Sequence, residues 1–341
     1  MKMGYLLLQD GTIFKGKSMG AGGVAMGGAV INTGMANYEG VLTSKLNRGL
    51  IVCQTYPVIG GFGVNMAGFE HTKPCVAGYV VKNLSTVYSN HNAKQSILDY
   101  LTENNVVCLA GVDTRALARH IREHGEQNAA IVCVQEADNA KLLAQLAGLE
   151  NNIEPEKCES KGGGRVAVMD FGQTAGVIAL LEKAGVKCAT VSPYAKANDL
   201  AGFGGVVLSA GPGDPNKFGD IIKNVEQIIN TLPVLGIGIG CRLLALACGG
   251  TVVKMKQGHR GCSYPVAYKG KTFATAQNHG YVIEKPGSGM SVAYKNANDG
   301  TTEGIEHDSK PVFGVEFELN GDFPLKEEKD IIDRFCTSLL K

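Results

Sequence analysis

Apolar positions along the chain follow two rhythms, and the change falls near the middle. In the first part, short β-like runs stand at residues 5–9, 24–32, 50–55 and 76–81, broken by glycine-rich turns. A helical spacing follows at 94–102, where Ile97, Leu98 and Leu101 share one face. Another runs over 114–124, where Leu117 and Ile121 stand four apart. This predicts an amino-terminal α+β domain over residues 1–150. Residues 151–164 are polar and end in three glycines, which is linker chemistry. From residue 165 onward strands and helices alternate. Strands are expected at 166–170, 189–192, 206–209, 234–237, 251–255 and 312–317, and helices at 177–183, 221–229, 242–247 and 327–340. That order predicts an α/β domain over 165–341, a parallel sheet with helices on both faces and sites at the carboxyl ends of its strands. No internal repeat is visible.

Composition narrows the class. A length of 341 residues suits two domains, each with its own core. Lys and Arg number 33 against 32 Asp and Glu, so no general electrostatic case exists for binding nucleic acid or an anionic membrane. With 44% hydrophobic residues spread along the chain, disorder is not expected. The 46 glycines have no collagen period and fit turns and close backbone approaches. Ten cysteines are scattered without a CxxC pair, as small buried hydrophobes are, and do not suggest a disulfide framework. The opening MKMGYLLLQDG has too short an apolar run for a signal peptide, and no run of about 18 apolar residues occurs. A soluble, cytoplasmic chain is expected.

The most informative segment is 233–247, PVLGIGIGCRLLALA, a buried strand, a glycine turn and a helix. A dinucleotide cradle would need glycine where Cys241 stands and an acidic residue about 20 positions on, where 254–257 read KMKQ. A nucleophile elbow, in which a tight turn lifts one side chain above a helix N-terminus, is the better match. Elsewhere, His259 and Cys262 form an HxxC pair with His279 further on, too few closely spaced ligands for zinc. His120 and His124 share a helix face without a carboxylate pattern such as HExxH and read as solvated surface. Asp113 suits a helix N-cap.

Several segments go beyond these general signals. They are Asp10-Gly-Thr-Ile-Phe-Lys-Gly16, Asn32-Thr33 through Tyr38, Thr55-Tyr-Pro-Val-Ile-Gly60 with Gly63-Val-Asn65, and Ala110-Gly-Val-Asp-Thr-Arg-Ala-Leu117. The second half adds Val166-Ala-Val-Met-Asp-Phe-Gly172, Leu208-Ser-Ala-Gly-Pro-Gly-Asp-Pro215, Val253-Lys-Met-Lys256, Gly258-His259, Gln277-Asn-His-Gly-Tyr281, Asn298-Asp-Gly-Thr301 and Glu303-Gly304. In this order, end to end, the chain resembles the small subunits of glutamine-dependent carbamoyl-phosphate synthetase. The resemblance implies a class I glutamine amidotransferase domain at the carboxyl end.

That family hydrolyses glutamine. A cysteine at the elbow attacks the side-chain amide, a histidine activates it and a glutamate orients the histidine. The thiolate is the effective nucleophile, and an imidazole beside it supplies that form. The family's Gly-Ile-Cys-Leu-Gly-His-Gln is here Gly236-Ile237-Gly238-Ile239-Gly240-Cys241-Arg242, and its Gln-Tyr-His-Pro-Glu is Glu316-Phe317-Glu318-Leu319-Asn320. The triad positions therefore hold Gly238, Glu318 and Asn320. A glutamine-binding serine of the first domain aligns with Leu46, and the elbow's substrate-contacting glutamine with Arg242. Gly211, Gly213, Ile239, Asn278, Gly280 and Tyr281 complete a vestigial glutamine site. Cys241 stands about one helical turn from the elbow, roughly 5 Å off, where misplacement of about 1 Å already costs catalysis about 100-fold.

The resemblance implies a large synthetase subunit as partner, carrying ATP and Mg, with no cofactor or metal in this chain. Three functions stay open on the residues: a non-hydrolytic subunit docking on, stabilising or gating an ammonia-using large subunit; an active glutaminase with another nucleophile; and a repurposed module binding glutamine, another amino acid or a protein. Arg242 could pair with a carboxylate in the last of these, but an exposed arginine on a helix surface is the commoner meaning and is expected here.

Overall fold

The structure is a computed structural model, and it describes residues 2–150, 153–319 and 325–339. The chain divides into two compact units. One takes the amino-terminal part together with Met255–Gly261; the other runs from Ile153 to Lys254 and resumes at Cys262.

The first unit is a closed seven-stranded barrel. Its elements are β1 (Met3–Leu8), β2 (Ile13–Gly20), β3 (Gly23–Asn32), α1 (Tyr38–Thr43), β4 (Leu50–Gln54), β5 (Gly78–Val81), α2 (Ile97–Glu103), β6 (Val107–Ala110), α3 (Thr114–His124), β7 (Asn128–Cys133) and α4 (Asn139–Ala147). The strand order is β1-β2-β6-β5-β4-β3-β7, parallel from β3 through β4 and β5 to β6 and antiparallel elsewhere. Closure leaves no strand edge unpaired. Side chains such as Leu6, Ile31, Ile51 and Val80 meet Leu117 and Ile121 of α3 in one core. Asp113 caps α3, its carboxylate accepting from the Ala116 amide at 3.0 Å. His120 is not simply solvated: its Nε2 lies 2.6 Å from Asp10 Oδ2, and its ring stacks on His124 at 4.3 Å.

Met255–Gly261 belongs to this unit through polar contacts. The Glu126 amide donates to the Lys256 carbonyl (2.8 Å), the Gly258 amide donates to Glu126 Oε1 (2.8 Å), and Arg260 pairs with the same carboxylate in a buried ion pair. Thr33 donates its amide to the Arg260 carbonyl at 3.0 Å.

The second unit is built on a ten-stranded sheet. Its elements are β8 (Lys161–Gly162), β9 (Val166–Met169), α5 (Ala175–Lys183), β10 (Cys188–Val191), β11 (Gly205–Leu208), α6 (Gly219–Ile228), β12 (Val234–Ile237), α7 (Ile239–Ala247), β13 (Thr251–Tyr268, apart from the Met255–Gly261 stretch that belongs to the first unit), β14 (Lys271–Lys285), β15 (Met290–Asn296), β16 (Thr302–His307), β17 (Val312–Val315) and α8 (Lys326–Ser338). The order is β14-β13-β15-β16-β17-β12-β11-β9-β10-β8. The central strands β17, β12, β11, β9 and β10 are parallel, and β9, β11, β12 and β17 are buried along their whole length. This matches the expected doubly covered parallel sheet. The strand expected at 251–255 is the start of the much longer β13, and the helix expected at 242–247 starts at Ile239.

Candidate functional site

Register places the site before any side chain is considered. Leu208 pairs with Gly236, and Ile237 pairs with Val315. The residues just past these pairs, Ala210, Gly238 and Glu316, therefore emerge side by side at the carboxyl ends of β11, β12 and β17, where α/β sheets form their sites. The Gly238 amide donates to the Val315 carbonyl at 2.8 Å, which fixes the turn to the neighbouring strand.

Three glycines make the strand–turn–helix possible for different reasons. A β-carbon on Gly236 would lie 2.7 Å from the Cys241 nitrogen, and one on Gly240 would lie 2.3 Å from the Leu208 carbonyl oxygen. Both are required by packing. Gly238 is different. At φ 55°, ψ −113° it lies where a residue with a side chain would be strained, yet the nearest atoms a β-carbon there would meet are Ala210 Cβ at 3.5 Å and Arg242 Nη2 at 3.7 Å. Those are ordinary contacts. There is space for a side chain's first carbon, and glycine supplies none.

Arg242, one turn into α7, is not the surface arginine expected of a helix. It is 4% exposed. Its Nε donates to the Gly238 carbonyl at 3.3 Å and lies 3.1 Å from Glu316 Oε2, with both side chains out of solvent. The expected exposed helix-surface arginine is thus corrected: the carboxylate that Arg242 meets is Glu316, inside the fold. Glu316 is the functional residue that sequence reasoning missed. The signal was there: both members of the pair replace glutamines of the family motifs.

Glu318, at the base position, donates its amide to the Ala276 carbonyl at 2.9 Å. Burial pushes its carboxyl up to about 7, a hydrogen bond with Gln173 pulls the other way, and the Glu328 carboxylate adds to the rise. Asn320 lies outside the described residues. The sign of the pH effect follows. An unfolded Glu318 ionises near 4.5 and the folded one near 7. Between these values the folded chain holds a proton that the unfolded chain has released, so stability is greatest below the lower value and falls as pH rises through the upper. Relative to a Glu318→Gln chain, the native protein is expected to lose roughly 2–3 kcal/mol between about pH 5 and pH 8, measured by urea unfolding. Equal pH slopes in the two chains would contradict this.

The other positions of the expected glutamine site have structural reasons of their own. A β-carbon on Gly211 would lie 2.2 Å from the Phe171 carbonyl oxygen, and one on Gly213, at φ 104°, would lie 2.4 Å from that of Ile153. Ile239 opens α7 and is fully buried. Asn278, Gly280 and Tyr281 lie on β14. Between them, His279 bonds the Tyr281 carbonyl through Nδ1 (2.9 Å) and Gln277 Oε1 through Nε2 (3.2 Å). Gln277 and Asn296 each donate an amide to the buried Glu303 carboxylate at 2.8 Å, and the Glu303 carbonyl accepts the Glu316 amide at 2.8 Å. Leu46 sits in the first unit on the short turn Lys45–Asn47.

Cys241 is fully buried with its thiol pushed far up, by burial first and then by Glu316. A thiol held protonated in a core is not a nucleophile. Cys262 is exposed, whereas His259 and His279 are buried. At the elbow the structure brings together Gly238 and the buried Arg242–Glu316 pair, none of which can form a thioester.

Comparison with known proteins agrees with this layout. Residues 6–131 match the family described as carbamoyl-phosphate synthase small chain, CPSase domain, and residues 167–317 match glutamine amidotransferase class-I. The carbamoyl phosphate synthase small chain of Clostridium perfringens is 36% identical over 345 residues, 97% of each chain. That of Caldanaerobacter subterraneus subsp. tengcongensis is 36% identical over 341 residues, 97% of this chain and 95% of the relative. That of Nitratidesulfovibrio vulgaris is 35% identical over 343 residues, 91% of each. No described helix is long and apolar enough to cross a membrane. With barrel unit, amidotransferase sheet and full-length relatives all in agreement, the chain belongs to the carbamoyl-phosphate synthase small-chain family.

Proposed function

We propose that this chain is a non-hydrolytic small subunit. It docks on a large carbamoyl-phosphate synthetase subunit in the cytoplasm and stabilises or gates it, while that subunit, carrying ATP and Mg, draws free ammonia. The observation that carries the reading is Gly238 at the elbow, in the backbone conformation of a nucleophile but with no side chain to act as one. Glu318 in place of the histidine and the internally paired Arg242 point the same way, because the covalent route needs a thiolate, a proton carrier and an open approach together.

A stable protein partner is supported by the surface of the first unit. Tyr56, Val58, Phe62, Val87 and Tyr88 are exposed on two loops. Residues 55–69 and 83–90, which hold them, contain no Asp, Glu, Lys or Arg. The loops are tied together by the Ile59 amide to the Asn83 carbonyl (2.9 Å), Ser85 to Ile59 (2.7 Å) and Ser89 to Gly61 (3.0 Å). Preformed, charge-free surface rich in aromatics is what the centre of a protein–protein interface requires. The test of the hydrolytic half of the proposal is glutamate release from glutamine by the chain with and without its large subunit. No release above buffer is expected; steady turnover would overturn it.

A further inference from the structure

We infer that the Arg242–Glu316 pair is a plug, made of the chain's own side chains, that closes the elbow to an amino-acid ligand. The inference rests on the reading of Gly238 as the former nucleophile position, and it adds loss of binding to loss of chemistry. Three contacts locate the plug. Arg242 Nη2 lies 3.7 Å from the point where a β-carbon of residue 238 would stand, Arg242 Nε is 3.3 Å from the Gly238 carbonyl oxygen, and Nε is 3.1 Å from Glu316 Oε2. The guanidinium therefore stands at the mouth of the space that an attacking side chain and its substrate amide would share.

The plug is held in place by its own electrostatics. The Glu316 side chain has no solvent exposure and that of Arg242 only 5%. An entering glutamine amide would have to part the pair and leave a buried carboxylate facing a neutral dipole, the costly way to break such a pair. The Glu316 backbone is fixed as well, because its amide donates to the carbonyl of Glu303, whose carboxylate is itself held by Gln277 and Asn296. Both partners sit at positions where the family motifs carry neutral glutamine. A single charge there would be buried without compensation, whereas the two together offset one another.

The test reads access directly. Gly238→Cys places a reporter thiol at the elbow, and its alkylation by iodoacetamide is followed by mass spectrometry of the peptide spanning the elbow. With the pair intact, the reporter is expected to react at least about tenfold more slowly per thiolate, each thiol's ionisation being read from the pH dependence of its rate, than in a Gly238→Cys/Arg242→Gln/Glu316→Gln chain, whose neutral side chains leave the opening free. Equal rates in the two folded chains would overturn the plug. Should the triple variant fail to fold, the unmodified protein decides: calorimetry with glutamine and with glutamate is expected to give no saturable binding up to about 10 mM. Saturable binding tighter than that would overturn the plug. Because neither readout involves turnover, either result is separable from the glutamate-release test of the proposed function.

Discussion

Replacing Arg242 by methionine is expected to destabilise the second unit by about 3–5 kcal/mol at neutral pH, because it leaves the Glu316 carboxylate buried and unbalanced. The carboxylate would answer by taking up a proton, so the loss should shrink on acidification. Adding Glu316→Leu should recover most of it, since exchanging a whole buried pair for apolar side chains is often neutral or better. Urea unfolding of the two single variants and the double variant closes a cycle whose coupling should be strongly favourable. A loss below about 1 kcal/mol in Arg242→Met would mean that the pair is screened by water, which its burial denies.

Restoring the nucleophile alone should restore no glutaminase. A Gly238→Cys chain is expected to stay at least about 10⁴-fold below an intact relative, because triad members act as a unit. Space does not forbid the side chain, since its β-carbon meets Ala210 at 3.5 Å. The backbone at φ 55° makes it strained, at about 1–3 kcal/mol. Arg242 beside it would favour a thiolate. At the position where the family's histidine carries the proton from thiol to departing ammonia stands Glu318, hydrogen-bonded to Gln173, which offers a carboxyl and not an imidazole. Glutamate release within about 100-fold of an active relative would show that the histidine and glutamate positions matter far less than covalent amide chemistry requires.

How far the sequence reached depended on how much of each element its own residues specify. Helix α3 was legible because Leu117 and Ile121 mark its buried face and Asp113 its start. Strand β12 was legible because a short apolar run ends on glycines. The β13–β14 pair was not. Beyond residue 255 its positions mix exposed, half-buried and buried without a clean alternation, as the register of a strand with unequal surroundings does. Strand β6, with only four buried residues, could as easily begin a helix by periodicity. The assignment of Met255–Gly261 to the barrel unit rests on Glu126 and Thr33, contacts between segments far apart in the chain that no local pattern announces.

At the site, the lack of a side chain at the elbow was plain from one letter, Gly238. The role of Arg242 was not, because an arginine on a helix is exposed far more often than buried. Only the strand register that brings Glu316 beside the elbow reveals the pair. Persistence of Gly211 and Gly213 proved equally uninformative about substrate, since Phe171 and Ile153 alone forbid a side chain at either position.

The decisive measurement is carbamoyl phosphate formation by the large subunit with and without this chain, supplied with either ammonium or glutamine. Synthesis from ammonium that changes when the chain is added, with none above background from glutamine, is the expected result. Glutamine-supported synthesis would contradict the assignment of Gly238, Glu318 and Arg242 to a closed, non-hydrolytic site.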